Sequence, residues 1–378
     1  MAVSSYWLAE PHLPLPRRTF AGRAEVAVIG GGVTGCSCAL TLAERGVRVR
    51  LYEAREIAGG ASGRNGGFAL RGAAMAYDEA IAQLGAGSAR LVMELTERSL
   101  DRMEELAGDA FRRSGSLRLA WDGDELAALR REHDALRADG FAVEWVDELD
   151  PPLDRLARGA ILHPHDGAIQ PARWVRRLAG HAAEAGAEIR EGESVSIADL
   201  DADAVVVAGD GFTASVLPEL APLVVATRGQ VLATEPLPEL IYARPHYARG
   251  GYDYWQQLPD RRLVLGGQRD ASFATEDTDV MEPTAAIQAR LDGLLEELVG
   301  FRPEVSHRWA GIWGTTPDHV PLVGPVPGRE HVWVAGGYSG HGNALGLACG
   351  ELVARAVLGE APPELEVFDP ARLAVRIA

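Results

Sequence analysis

Three glycines and one acid have the clearest chemical purpose in this sequence. Gly30, Gly32 and Gly35 stand as G-x-G-x-x-G in AEVAVIGGGVTGCSCALTLAERGVRVRLYE, and Glu53 closes that stretch. Such glycines permit a tight turn and let backbone approach a pyrophosphate. The helix that follows begins with Val33 and Thr34 and offers N–H groups and a positive dipole end to the same phosphates. At its spacing from the turn, Glu53, with Ala54 and Arg55 beside it, accepts hydrogen bonds from a ribose diol. A carboxylate there repels a 2′-phosphate, so NADP is disfavoured while FAD and NAD both stay open. A second glycine loop follows in EAREIAGGASGRNGGF and carries Ala61, Ser62, Arg64, Asn65, Gly66 and Gly67. A third, GGYSGHG, brackets Tyr338, Ser339 and His341 with Gly337, Gly340 and Gly342, just before a helix. Glycine turns far apart in sequence, each after a strand, suit a ligand longer than one nucleotide.

These residues need a scaffold. Residues 24–29 form a short apolar run of buried-strand type, 34–45 show helical periodicity ending at Gly46, and 47–52 read as a second strand. Residues 76–140 look mostly helical, with charges four apart on solvated faces. A helix and short strand span 172–189, and DADAVVVAGDGF holds another buried strand ending at Ala208 and Gly209. TRGQVLATE, YDYWQQLPDRRLVLGGQ and HRWAGIW alternate as in an antiparallel sheet, interrupted by the helix PTAAIQARLDGLLEELVG. HVWVAGGYSGHGNALGLACGELVARAVLG closes as strand, glycine turn and long helix. The expected class is α/β. A Rossmann-type dinucleotide-binding domain is expected from residues 1–80, 160–225 and 315–365. An inserted α+β substrate domain with an antiparallel sheet comes from 81–159 and 226–314, and 366–378 is a tail.

Composition narrows the function. The chain has 378 residues, 24% charged, with a net charge of −17. That disfavours a phosphate-neutralising nucleic-acid role. All 37 basic residues are arginine, so no lysine can act as Schiff base, general base or oxygen-activating cation. Cys36 and Cys38 share one helix and cannot bridge to each other. With Cys349 they make a sparse, odd set that points to a reducing compartment. No signal peptide and no apolar run of membrane-spanning length is present, so a cytoplasmic protein without a membrane partner is expected. His163 and His165 in HPHD lack further ligands at zinc spacing, so no metal is expected.

The second loop resolves the cofactor. EAREIAGGASGRNGGF after a dinucleotide turn resembles the FAD-dependent amine and amino acid oxidases of the glycine oxidase and D-amino acid oxidase superfamily. Its ASGRNGG segment is most similar to the branch that includes gamma-glutamylputrescine oxidases. AVVVAGDGFTASVLPEL, RWAGIWGTTPDHVPLVGP and HVWVAGGYSGHGNALG are similar to the family's middle strand, ring-approaching segment and C-terminal flavin loop. The likeness runs from Ser5 to about Leu358 and implies that the dinucleotide domain is a Rossmann-type, glutathione reductase-like FAD-binding domain. It implies that loop 59–68 lies along the ribityl chain and over the ring, with Arg64 and Asn65 pointing donors at flavin or substrate. It implies too that the helix entry at 337–342 faces the part of flavin that turns negative on reduction, and that the Val195 backbone meets adenine.

Departures matter as well. Gly311 stands at or near the position of the cysteine that anchors flavin covalently in monomeric sarcosine oxidases, so FAD is expected to be non-covalent. Ala344 replaces the lysine that clamps a substrate carboxylate there. SVSIADLDADAVVVA is shorter than the usual hairpin. For the pocket, residues 242–269 offer Tyr242, His246, Tyr247, Arg249, Tyr252, Tyr254, Trp255 and Arg269, and His341 is the best polar candidate at the ring. The catalytic set expected is His341, Arg64, Tyr252 and Arg269. The expected reaction oxidises a C–N bond of an amine or amino acid by hydride transfer to flavin N5, gives an imine that hydrolyses, and uses O2 as acceptor. A dehydrogenase serving a quinone or carrier and a non-catalytic flavin-binding protein are the alternatives. The sequence leaves the oligomeric state open.

Overall fold

The computed structural model describes residues 5–376; residues 1–4 of the lead-in arm and 377–378 of the expected tail lie outside the described residues. Six strands form one sheet in the order Leu322–Pro325, Val332–Gly336, Ala204–Val207, Val26–Ile29, Val49–Glu53, Glu188–Glu191. The first pair is antiparallel and the others are parallel. Val26 therefore lies opposite both Val49 and Ala204. VAVI is buried throughout and AVVV nearly so, as strands covered on both faces must be. Helix Val33–Glu44 packs on helices Pro171–Glu184 and Ala344–Val357. The last contact is close because of glycine: a Cβ on Gly350 would sit 2.4 Å from the Thr34 carbonyl oxygen.

Eight strands make the second sheet, in the order Val305–Thr315, Val225–Thr234, Leu263–Gly267, Asp253–Gln257, His246–Ala248, Ser116–Ala120, Gly159–His163, Glu144–Val146. It is antiparallel except where Ser116–Ala120 meets His246–Ala248. Phe68–Ala69, Gly167–Ile169 and Phe111–Arg112 form a small third sheet. The period of 2 sorts side chains in the large sheet. Gly229 and Val231 face a cavity, whereas Arg228 and Gln230 reach the other way to Glu276. Both Arg228 and Glu276 are buried, and Glu276 accepts Arg228 Nε and Nη2 and Gln230 Nε2, all at 2.9 Å.

Several elements differ from the sequence-based expectation. Within 76–140 the helices are Tyr77–Leu84, Ala86–Ala107 and Gly123–Ala138, and the strand Ser116–Ala120 interrupts them. SLRLA is too short and too charged to announce itself as a strand; pairing on both sides makes it one. Two elements also fall across the expected domain boundaries. Gly159–His163 belongs to the eight-stranded sheet. Helix Ala86–Ala107 puts Val92, Leu95, Leu100 and Met103 into the same core as Val26 and Val28. An apolar helical stripe predicts burial but not the partners, which here are helices Tyr77–Leu84 and Ala344–Val357. The tail is docked: Phe368 is buried, and Arg372 pairs with Asp318 at 2.9 Å. Among the described residues no helix is long and apolar enough to cross a membrane, and no His, Cys, Asp and Glu group could hold a metal ion.

Removing one partner of a buried, hydrogen-bonded ion pair leaves an uncompensated charge. Glu276→Ala is expected to lower the unfolding free energy by about 3–5 kcal/mol. Urea denaturation of the wild-type and variant holoproteins measures this.

Candidate functional site

The first glycine turn is built by close packing. Gly30 has φ +118°, and a Cβ there would lie 2.4 Å from the Ala208 carbonyl oxygen. A Cβ on Gly35 would meet the Gly30 carbonyl oxygen at 1.9 Å. Ser62 Oγ reaches over this turn and accepts the Val33 N–H at 3.1 Å. Glu53 accepts the Gly31 N–H at 2.7 Å on Oε2 and the Arg55 N–H at 2.9 Å on Oε1. Each carboxylate oxygen keeps a lone pair for a further donor.

The second loop is tied down at five successive carbonyls. Ser5 Oγ donates to Gly63 O at 2.9 Å, Trp309 Nε1 to Arg64 O at 2.8 Å, and Trp7 Nε1 to Asn65 O at 2.8 Å. Gln256 Nε2 donates to Gly66 O at 2.7 Å and Gly67 O at 2.8 Å. Asn65 does not present its amide donors to a ligand, as its type had suggested. Its Nδ2 donates to Ala61 O and Ser62 O, both at 3.1 Å, and its Oδ1 accepts the Gly67 N–H at 2.8 Å. It folds the loop on itself and faces Asn343 across a 3.3 Å amide contact. Arg64 Nε donates to Gly59 O at 2.9 Å. Burial, with Arg55 nearby, pushes the Arg64 guanidinium below the usual arginine range.

The third loop sits on Asp210, a residue the sequence reading passed over. Its Oδ1 accepts the Gly337 N–H at 2.9 Å and the Tyr338 N–H at 3.4 Å. Burial raises the Asp210 pKa, and those backbone donors oppose the rise. Tyr338 shares a 2.8 Å hydrogen bond with Thr34, which joins the first and third loops. His341 Nδ1 is buried without a partner. Burial, then the charge of Arg118 and His319, lowers the His341 pKa to about 4.

These loops and the large sheet enclose a cavity of about 580 Å3. It runs from Glu53, Ala54, Arg55 and Val195 past Gly30, Gly32, Val33 and Thr34 to Ala61, Ser62, Arg64, Asn65 and Gly66. Ala208, Gly209, Gly311, Tyr338, Ser339, Gly340, His341 and Gly342 line it too. Of the cofactor residues expected from sequence, only Gly35, Gly67 and Gly337 stand back from it. Each is a packing glycine: a Cβ on Gly67 would meet Gln256 Nε2 at 2.2 Å, and one on Gly337 would meet Thr316 Cγ2 at 2.6 Å. Tyr252 and Arg269 line the far end, so the four residues expected to be catalytic share one cavity.

Sheet register sorts the substrate candidates. Tyr247 lies opposite Tyr254, and both face the cavity. His246 lies opposite Trp255, and both point into the core, with rings stacked 5.2 Å apart. Tyr242 is buried beside them. Arg249 is taken by Asp253 and Asp270. Arg269 rests on Tyr252, Phe273 and Trp313, 5.0 to 5.7 Å from the ring centroids, and among the described residues has no carboxylate partner. Sequence reasoning also missed Gly229, Trp313, His319 and Asn343. The pair Gly229–Gly311, directly opposite in the sheet, makes room for its neighbours: a Cβ on Gly229 would meet the Trp313 ring at 2.1 Å, and one on Gly311 would meet Arg64 Cβ at 3.1 Å. Alternation in TRGQV and AGIWG carried that signal, but its phase was not readable.

The arrangement fits FAD. The glycine turn and Glu53 match an ADP moiety, and a Cβ on Gly340 would project into open space on the cavity wall. His341 Nδ1 is an orphaned donor or acceptor beside it. Residues 25–356 match the model of the DAO family, FAD dependent oxidoreductase. The chain belongs to this family. As a DAO-family protein it is an FAD-dependent oxidoreductase. It is 29% identical to a probable oxidoreductase OrdL of Rhizobium meliloti, over 93% of this chain and 86% of that one. It is also 29% identical to gamma-glutamylputrescine oxidoreductase of Escherichia coli, over 97% and 91%. The glycine oxidase structure from Geobacillus kaustophilus superposes with a TM-score of 0.75 at 25% identity, covering 93% of this chain and 97% of that one.

A Cβ on Gly66 would lie 2.8 Å from the Tyr254 ring. Gly66→Val is therefore expected to displace the loop from the cavity and to yield protein with most of its FAD lost. The ratio of visible to ultraviolet absorbance of the purified variant reads this. Full FAD content would remove this loop from the cofactor site.

Proposed function

We propose that this chain oxidises the C–N bond of an amine, with FAD held non-covalently and O2 as electron acceptor. In this reading the six-stranded sheet is a Rossmann-type platform for the ADP half of FAD, and the eight-stranded sheet roofs the substrate. The observation that carries the proposal is the continuity of one cavity from the glycine turn to an aromatic chamber walled by Tyr247, Tyr252 and Tyr254. The relatives, named for glycine and for gamma-glutamylputrescine, support a substrate with an oxidisable carbon next to nitrogen.

Bound FAD supplies the acceptor for a hydride from that carbon. The protein's share is position and electrostatics. The tyrosine walls exclude water and hold a neutral amine. The N–H groups that open helix Ala344–Val357 favour negative charge developing beside them. His341 is neutral near pH 7, so it offers a hydrogen bond rather than a charge. Hydride loss from a neutral amine requires no side-chain base. Arg269 is available to a carboxylate, so an amino acid substrate also fits. With no lysine in the chain, the positive charge for reaction with O2 falls to Arg64 or Arg269. That same lack favours a second reading, a dehydrogenase that passes electrons to a quinone or carrier.

An anaerobic visible spectrum during addition of amines and amino acids tests the proposal. Bleaching by one class establishes the reaction and its substrate type. Fast recolouring in air identifies an oxidase, slow recolouring a dehydrogenase, and no bleaching by any compound contradicts the catalytic reading. A second prediction concerns pH. Because His341 already lacks its proton above about pH 4, His341→Asn is expected to slow flavin reduction without removing any ionisation near neutrality. Loss of a neutral-range limb from the pH profile in the variant would contradict this.

A further inference from the structure

A second cavity, of about 280 Å3, adjoins the first. Tyr247, Gly250 and His341 line both. Helices Tyr77–Leu84 and Gly123–Ala138 and strand Ser116–Ala120 supply much of its wall. No step of the reaction proposed above uses it.

Its charges are unbalanced. Five carboxylates line it against three guanidiniums. One of those guanidiniums, Arg71, is already committed to Glu97 and to the Ala142 carbonyl. Glu132 is the central group. It is 4% exposed. Its Oε1 accepts Arg118 Nη1 at 2.6 Å and the Tyr77 N–H at 3.4 Å, while its Oε2 carries no hydrogen bond. Asp78 Oδ1 is without a partner, while its Oδ2 lies 3.5 Å from Arg131 Nε. Burial raises the Glu132 pKa; the nearby charges of Asp78 and Glu79 add to the rise, and Arg118 opposes it. Glu132 Oε2, bonded to no protein donor, is open to one brought by a ligand. An ammonium group supplies three N–H donors and a charge.

We infer that this second cavity is a subsite for the ammonium at the far end of a diamine-like substrate, with Glu132 Oε2 as its main acceptor. The inference rests on the amine-oxidase reading and names its substrate class. The reacting amine lies in the first cavity, and the connecting chain passes Tyr247 and His341. An anionic far end fits less well. Arg118 could meet it, but Glu132, Asp78 and Glu79 would repel it. A monoamine brings no second ammonium to that oxygen.

Anaerobic calorimetry on the FAD-loaded protein tests this directly, because it reads affinity whether or not flavin is reduced. The probes are α,ω-diamines of increasing length, monoamines of matched length, and ω-amino acids of matched length. The best diamine is expected to bind at least roughly tenfold more tightly than its monoamine. In Glu132→Gln that ratio is expected to fall toward one, and the ω-amino acid is expected to gain on the diamine as Arg118 is released. Should Glu132→Gln not retain FAD, Asp78→Asn is expected to show a smaller fall in the same ratio. Equal affinity of diamine and monoamine, or preference for the ω-amino acid in the wild-type protein, overturns the inference. Flavin bleaching in the same samples is a separate readout. Monoamines that bleach flavin without a diamine preference leave the oxidase reading standing and remove this one. Diamines that bind by preference but bleach nothing keep the subsite and remove the oxidase reading.

Discussion

The carbonyls of Gly63 through Gly67 are the anchor on which the candidate site depends. A short glycine-rich loop has little side-chain packing to hold it, and glycine loses more conformational freedom on ordering than any other residue. Its shape must come from outside. Donors from three distant parts of the chain provide it: Ser5 and Trp7 from the arm, Gln256 from one strand of the large sheet, and Trp309 from another. Each such bond contributes on the order of 1 kcal/mol net. Their greater effect is to lock the N-terminal arm, the loop and the large sheet into one geometry. Leaving any of these buried carbonyls unpaired would cost more than the bond itself contributes.

The same logic holds at the third loop, where Asp210 replaces the side-chain cluster. Asp210 has φ +45°, a left-handed conformation that an aspartate tolerates better than most residues. That turn brings its carboxylate under the Gly337 and Tyr338 N–H groups. A strand end of the six-stranded sheet, the third glycine loop and, through Tyr338 and Thr34, the first helix are thereby coupled. The three glycine loops are thus joined by hydrogen bonds: Val33 to Ser62, Thr34 to Tyr338, and Asn65 to Asn343.

An all-arginine basic set shapes the polar parts of the molecule. A guanidinium has a fixed fork of donors and a flat face. Arg228 uses the fork on Glu276, Arg118 meets Glu132 and the Tyr247 ring, and Arg269 lies against three aromatic rings. His163 and His341 are held neutral by burial. Fixed positive charge around the chamber comes from arginines whose positions are set by rings and carboxylates.

Local chemistry was legible from sequence and long-range placement was not. The strand, glycine turn, helix and acid of residues 24–53 depend on contacts within a short stretch, so residue type and spacing determine them. Glycine content likewise marked all three loops, although it did not separate Gly66, which faces the cavity, from Gly67, which packs against Gln256. In residues 242–269 alternation was visible, yet whether Tyr247 and Tyr254 or His246 and Trp255 face the ligand is a matter of phase. That phase is set by which face of the sheet the other layer covers. Asp210, Asn343 and Glu132 bond to partners far away in the chain, and no spacing rule links such positions. By itself the sequence determined a dinucleotide turn and three glycine loops, because those obey short-range sterics. Tertiary structure alone decided which side chains share a cavity and which carboxylate keeps a free oxygen, because both follow from how separate elements pack.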